Sequence, residues 1–117
     1  MSELELMYSA RKIVKDVIGV RQEDKVLVVT DEAKLKVGKA FSLACRGLVA
    51  ENTLTLMPLN GEHGNEPPAT IAAAMAAADI VFAPTTHAIT HTRARLNAYA
   101  AGSRVVILEL WPLILRR

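Results

Sequence analysis

The segment Ile80–Arg95, IVFAPTTHAITHTRAR, is the most informative about the fold. It opens with a short apolar run, Ile80–Ala83, of the kind that forms a buried strand, and Pro84 then interrupts that run. Hydrogen-bonding side chains follow at once, at Thr85, Thr86, His87, Thr90, His91 and Thr92. A strand that ends in polar residues and leads into a helix is where α/β folds place their binding sites. The segment therefore predicts a fold class and the position of a candidate site.

Three further stretches have strand character: Lys25–Thr30, Asn52–Leu59 and Arg104–Leu110. The first is a continuous apolar run without alternation, which indicates a strand covered on both faces, as in a parallel sheet. In the second stretch, Leu54, Leu56 and Leu59 are expected to be buried. Pro58 argues against a central place in the sheet for the end of that strand.

Helical patterns alternate with these strands, at residues 2–18, 32–49 and 71–78, and from Thr90 or Thr92 to about Ala101. The first begins with a capping box at Ser2 and Glu5, and Gly19 is suited to end it in a left-handed conformation. Asp31 can cap the second helix. The third is almost pure alanine and lacks a polar face, so it packs closely on the sheet or also contacts something on its outer side.

Helix and strand alternate through the chain with short connections, which predicts a Rossmann-like three-layer α/β/α fold with a four-stranded parallel sheet. Right-handed crossovers restrict the topology, and the expected strand order is 2-1-3-4. The domain is expected to span residues 1–110, followed by an apolar tail at residues 111–117. Asp31 and the Thr85–Thr92 segment then face each other at the topological switch point between the first and third strands.

Composition and charge argue against several classes of protein. The formal net charge is only +2, which argues against a dedicated nucleic-acid binder. The apolar C-terminal run is too short to cross a membrane, and the acidic, amphipathic N-terminus is unlike a signal peptide. The single cysteine, Cys45, cannot form an internal disulfide and is expected to be a buried, inert thiol. A cytoplasmic protein without nucleic-acid or membrane partners is the resulting expectation.

The candidate ligand-binding residues lie at the expected switch point and are Asp31, Thr85, Thr86, His87, Thr90, His91 and Arg93. Hydroxyl groups, free amides at a helix start and a guanidinium group are what an anion or nucleotide site needs. The alternative is that the threonines only cap the helix and the arginines are surface charges, and the sequence leaves both open. The dinucleotide-binding and phosphate-binding glycine motifs are absent after the first strand.

His87 and His91 have the i, i+4 spacing that presents two imidazoles to a metal on one helix. The helix is expected to begin between them, however, and no further ligand completes a set, so hydrogen bonding is the favoured role. His63 is expected to be a solvated turn residue. No metal ligands and no catalytic residues are assigned.

The motifs in HGNEPPATIAAAMAAADIVFAPTTHAITHTRARLNAYAAGSRVVIL, together with KVLVVTDEAKLKVGKA, resemble a known family. They are similar to the amino-terminal part of the thermophilic metallo-aminopeptidases of the aminopeptidase T and aminopeptidase S type, a family that includes leucyl aminopeptidases. The likeness runs from about Val14 to Leu108, and Glu109–Leu113 departs from the family pattern.

This resemblance implies an α/β domain of a metal-dependent hydrolase. In the family, two divalent metal ions are held in the carboxyl-terminal part, and no position here matches their ligands. The resemblance therefore implies a shortened relative or a fragment that is inactive alone and holds no cofactor. The alternative is a stand-alone module that binds a small anion or nucleotide or serves oligomerisation.

Self-association is expected from the apolar surfaces that remain. The Ala-rich helix, the edge of the last strand and the Trp111–Leu115 tail are the candidate contact surfaces.

Overall fold

A computed structural model of the protein describes residues 2–59 and 65–108. The helices are α1 (Glu3–Lys12), continued by a π-helical segment (Ile13–Ile18), then α2 (Leu35–Cys45), α3 (Ala69–Ala77) and α4 (Arg93–Ala100). The strands are β1 (Lys25–Asp31), β2 (Glu51–Met57), β3 (Ile80–Ala83) and β4 (Arg104–Ile107). The predictions for His63 and for the residue 111–117 tail lie outside the described residues.

The strands form one parallel sheet in the order β2-β1-β3-β4, which confirms the predicted architecture. β1 pairs with β2 from Lys25↔Glu51 to Asp31↔Met57, and with β3 from Val26↔Ile80 to Val28↔Phe82. The connection from β1 leads to β2 on one flank of β1, and the chain later returns to the other flank of β1 as β3. The carboxyl ends of β1 and β3 therefore form the switch point, as expected.

Two cores, one on each face of the sheet, hold the layers together. Val26 and Val28 point to the face covered by α1 and α2, whereas Leu27 and Val29 point to the face covered by α3 and α4. Phe41 of α2 and Phe82 of β3 stack with ring centroids 5.3 Å apart in the first core. Helices on both faces explain why β1 has no polar alternation.

Local signals predicted the helix ends well. Ser2 and Glu5 form the capping box, and Gly19 adopts the left-handed conformation with a φ of 71°. Thr92, rather than Thr90, is the N-cap of α4, and Gly102, with a φ of 100°, follows its last turn. These interactions join residues only a few positions apart, so the sequence spacing alone is informative.

Helix α2 differs from its predicted span of residues 32–49. Its first turn is a 3₁₀ helix at Glu32–Lys34, and the α-helix ends at Cys45. Gly47 has a φ of 83° and accounts for the early end.

The predicted burial of Leu56 and Leu59 was wrong. Their relative exposures are 51% and 49%, and Leu54 is half-buried, whereas Met57 is buried. The reason is topological, because β2 lies at the edge of the described sheet and has a neighbouring strand on one side only. Strand β2 also ends at Met57, so Pro58 is the first residue after the strand and not its last residue.

Within the part of the chain that the structure describes, none of the helices has the length and apolar character needed to cross a bilayer.

Candidate functional site

The switch point joins the end of β1 to the loop that follows β3, and Asp31 is its centre. The Asp31 side chain is 2% exposed. The Thr86 amide donates to Asp31 Oδ2 at 2.7 Å, and the Thr86 hydroxyl donates to Oδ1 at 2.9 Å. The Lys34 amide donates to Oδ1 at 3.1 Å. A buried carboxylate needs such donors to compensate for lost hydration, and here all three come from the chain itself.

Two nearby threonines, Thr30 and Thr85, stabilise the loop that follows β3. The buried Thr30 hydroxyl donates to the Pro84 carbonyl oxygen at 2.9 Å, which ties β1 to the residue after β3. The buried Thr85 hydroxyl donates to the His87 carbonyl oxygen at 2.7 Å and closes the loop on itself. The structure therefore brings together Asp31, Thr85 and Thr86 of the predicted site, with the His87 backbone.

The remaining predicted residues lie towards the start of α4. Thr90 is half-buried, whereas His91 and Arg93 are exposed. The Thr92 hydroxyl donates to the Ile89 carbonyl oxygen at 2.7 Å and accepts from the Arg95 amide at 3.2 Å. Thr92 is therefore fully occupied as a cap, in agreement with the alternative role considered for the threonines.

Glu66 is the residue at this site that sequence reasoning missed. Its Oε2 accepts from the Arg93 amide at 2.7 Å, and its Oε1 accepts from the Ala94 amide at 3.1 Å. These amides belong to the helix start at which an anion was expected, and the helix dipole favours a negative group there. No short-range spacing could have revealed this cap, because Glu66 lies 27 residues before Arg93.

Two clefts lie near α4. One, of about 270 Å³, is lined by Glu66, Ala72, Arg93, Ala94 and Asn97, between α3 and α4. A larger cleft of about 710 Å³ runs along the α4–β4 edge and is lined by Arg95, Tyr99, Ala100, Gly102, Ser103, Arg104 and Val105. None of the predicted site residues lines this larger cleft.

In residues 2–59 and 65–108, no three His, Cys, Asp or Glu side chains converge in a way that could hold a metal ion. Cys45, the last residue of α2, is buried in the core, and burial raises the pKa of its thiol to about 11. A thiol with so high a pKa is neutral near pH 7 and is a poor nucleophile. Cys45 therefore has the inert core role expected from its sequence context.

Comparisons with known proteins add information on the fold. No family model and no curated protein matches the sequence. The solved structure of 2,5-dihydroxypyridine dioxygenase from Pseudomonas putida KT2440 is similar, with a TM-score of 0.73 at 16% sequence identity. The similarity covers 92% of this chain and 34% of that one, so the chain spans about a third of the length of that structure. At this identity the likeness concerns the α/β fold alone.

Proposed function

We propose that this chain is an α/β domain of the metallo-aminopeptidase type that has a structural role and does not hydrolyse peptides alone. The proposal takes its family from the motifs between Val14 and Leu108, among them HGNEPP, the APT strand end and the THTRAR helix start. The four-stranded parallel sheet is compatible with such a domain.

One observation carries the structural role: the polar groups at the switch point hold the chain together. The Asp31 carboxylate accepts three hydrogen bonds from Thr86 and Lys34. The Glu66 carboxylate accepts two from the start of α4. A general base or a metal ligand needs a lone pair directed at a substrate or an ion, and the buried Asp31 carboxylate uses three of its roughly four lone-pair sites on backbone and hydroxyl donors.

The chemistry of the proposed family also argues against peptide hydrolysis by this chain alone. Metal-assisted hydrolysis needs several ligands that fix an ion and leave one position open for water. The His, Cys, Asp and Glu side chains of the described residues form no cluster of three. The proposal therefore places the hydrolytic centre of the family outside residues 2–59 and 65–108.

The experiment is a metal analysis of the purified chain, paired with an assay of leucyl p-nitroanilide hydrolysis in cobalt, zinc and manganese. We expect well under one metal ion per chain and no turnover above the protein-free control. The matched control is a His87→Ala/His91→Ala double variant, which should behave like the original chain. Stoichiometric, tightly bound metal with turnover that the double variant loses would contradict the proposal and make the two histidines ligands.

The alternative function, binding of a small anion or nucleotide, has weaker support. The Arg93 and Ala94 amides that would bind an anion already hold the Glu66 carboxylate. The cleft of about 270 Å³ beside them is lined by Glu66 as well as Arg93, so the carboxylate offsets the attraction of the guanidinium group for an anion.

A further inference from the structure

Helix α1 has a second apolar surface that faces away from the core. Its inner face buries Leu6 and Ala10 in the core that α1 shares with α2. On its outer face, Leu4 and Tyr8 are 65% and 71% exposed, and Met7 is 38% exposed. The spacing of positions 4, 7 and 8 places these side chains in one stripe along the helix.

Helix α2 widens this stripe into a patch. Leu43 is 40% exposed and lies beside the stripe. A hollow of about 120 Å³ between the two helices is lined by Leu4, Met7, Tyr8, Arg11, Leu43 and Ala44. A single exposed apolar side chain is ordinary, but a contiguous patch around a hollow is typical of a surface that binds another protein.

The charges of α1 indicate which partner fits. Glu3 and Glu5 lie in the first turn, and Arg11 and Lys12 lie in the last. The helix is therefore acidic at one end and basic at the other, with the apolar stripe between them. A second α1 laid antiparallel matches opposite charges at both ends, whereas a parallel one brings like charges together.

The spacing of Glu5 and Lys12 favours one particular antiparallel arrangement of two α1 helices. Glu5 and Lys12 are seven residues apart, which is close to two helical turns, so they lie on the same flank. In an antiparallel pair related by a twofold axis near Tyr8, Glu5 of each copy lies opposite Lys12 of the other. The helix dipoles of the two copies also oppose each other, which is favourable.

We propose that a second copy of this chain docks on this surface, with the two α1 helices antiparallel and Tyr8 at the centre. The surface differs from the Ala-rich helix and last-strand edge considered above, and the proposal does not rest on the proposed function. A ten-residue helix is about 15 Å long, so the patch is smaller than the roughly 800 Å² per partner of a standard interface. We therefore expect a weak dimer, with a Kd on the order of 100 μM.

Sedimentation equilibrium from about 10 μM to 1 mM tests the proposal, with a range chosen to bracket that Kd. The original chain should show a reversible monomer–dimer equilibrium, and Tyr8→Glu should weaken it at least about tenfold by placing like charges at the centre. Tyr99→Glu is the matched control, because Tyr99 of α4 is 70% exposed, close to the exposure of Tyr8, and lies outside the patch.

A charge exchange tests the antiparallel arrangement. Glu5→Lys and Lys12→Glu should each weaken self-association, and an equimolar mixture of the two should restore it by forming heterodimers. Circular dichroism checks that each variant is folded, since Glu5 also completes the capping box with Ser2. A chain that stays monomeric at 1 mM overturns the proposal. So does a dimer insensitive to Tyr8→Glu, or a mixture of folded variants that gains no association.

Discussion

Asp31 and Thr86 form the most informative residue-scale contact in the molecule. They lie 55 residues apart in sequence, yet two hydrogen bonds of 2.7 and 2.9 Å join them across the switch point. The carboxylate is buried, so loss of either partner leaves a polar group without water to replace it. The contact therefore stabilises the fold because breaking it would leave a polar group without a hydrogen-bond partner.

Asp31→Asn should lower the free energy of unfolding by about 1–3 kcal/mol, because an asparagine NH₂ can face a donor where the carboxylate accepted. Thr86→Val should cost about 1 kcal/mol, and the double variant should cost less than the sum of the two. Urea unfolding monitored by circular dichroism measures all three. Glu32→Gln, at the exposed neighbouring acid, is the control and should change stability by less than about 0.5 kcal/mol. Strict additivity of the Asp31 and Thr86 effects would show that the two side chains are not coupled.

At the scale of elements, the contact of α2 with β1 is set by one glycine. A Cβ atom at Gly38 would lie 2.7 Å from Thr30 Cγ2 and 2.8 Å from Thr30 Cβ. These distances are much shorter than a van der Waals contact. The helix therefore lies so close to the strand that only the hydrogen atom of a glycine fits between them. Thr30 also anchors the Pro84 carbonyl oxygen, which links this packing to the candidate site.

Gly38→Ala should destabilise the protein by about 1–3 kcal/mol, although alanine favours a helix by about 1 kcal/mol over glycine. The helix must move away from β1, or the Thr30 side chain must rotate and lose its hydrogen bond. Lys39→Ala is the matched control on the same helix, because Lys39 is exposed, and it should be nearly neutral. Chemical denaturation compares the two variants, and a stabilised Gly38→Ala variant would mean that helix propensity outweighs the close approach.

At the scale of the whole molecule, the buried thiol of Cys45 couples stability to pH. Burial raises its pKa from 9.0 to about 11. Below pH 9 the thiol is protonated in the folded and the unfolded chain, and the full stability is present. Between pH 9 and 11 the unfolded chain loses the proton while the folded chain keeps it, so stability falls as pH rises.

Urea unfolding at pH 8, 9 and 10 should therefore show a steeper loss of stability in the original chain than in Cys45→Ala. The expected difference in slope is roughly 1 kcal/mol per pH unit above pH 9. The Cys45→Ala variant retains every other side chain, so the difference between the two pH profiles isolates the thiol. Parallel pH profiles for the two proteins would contradict the argument.

Features that depend on neighbours along the chain could be predicted from the amino-acid sequence alone. Continuous apolar runs predicted buried strands at Lys25–Thr30 and Ile80–Ala83, and the alternation of elements predicted the parallel sheet in the order 2-1-3-4. The capping box at Ser2 and the helix end at Gly19 were predicted from spacing. All of these follow from rules that act within a few residues or from the need to bury apolar faces.

The hydrogen-bond partners of the polar residues, in contrast, depend on the tertiary structure. Thr86, a candidate for an anion site, is instead bonded to Asp31, and the amides at the start of α4 are bonded to Glu66. The exposure of Leu56 likewise depends on the edge position of β2. The physical reason is that these partners lie 27 or 55 residues apart in sequence, so their meeting depends on how the layers pack and leaves no local pattern.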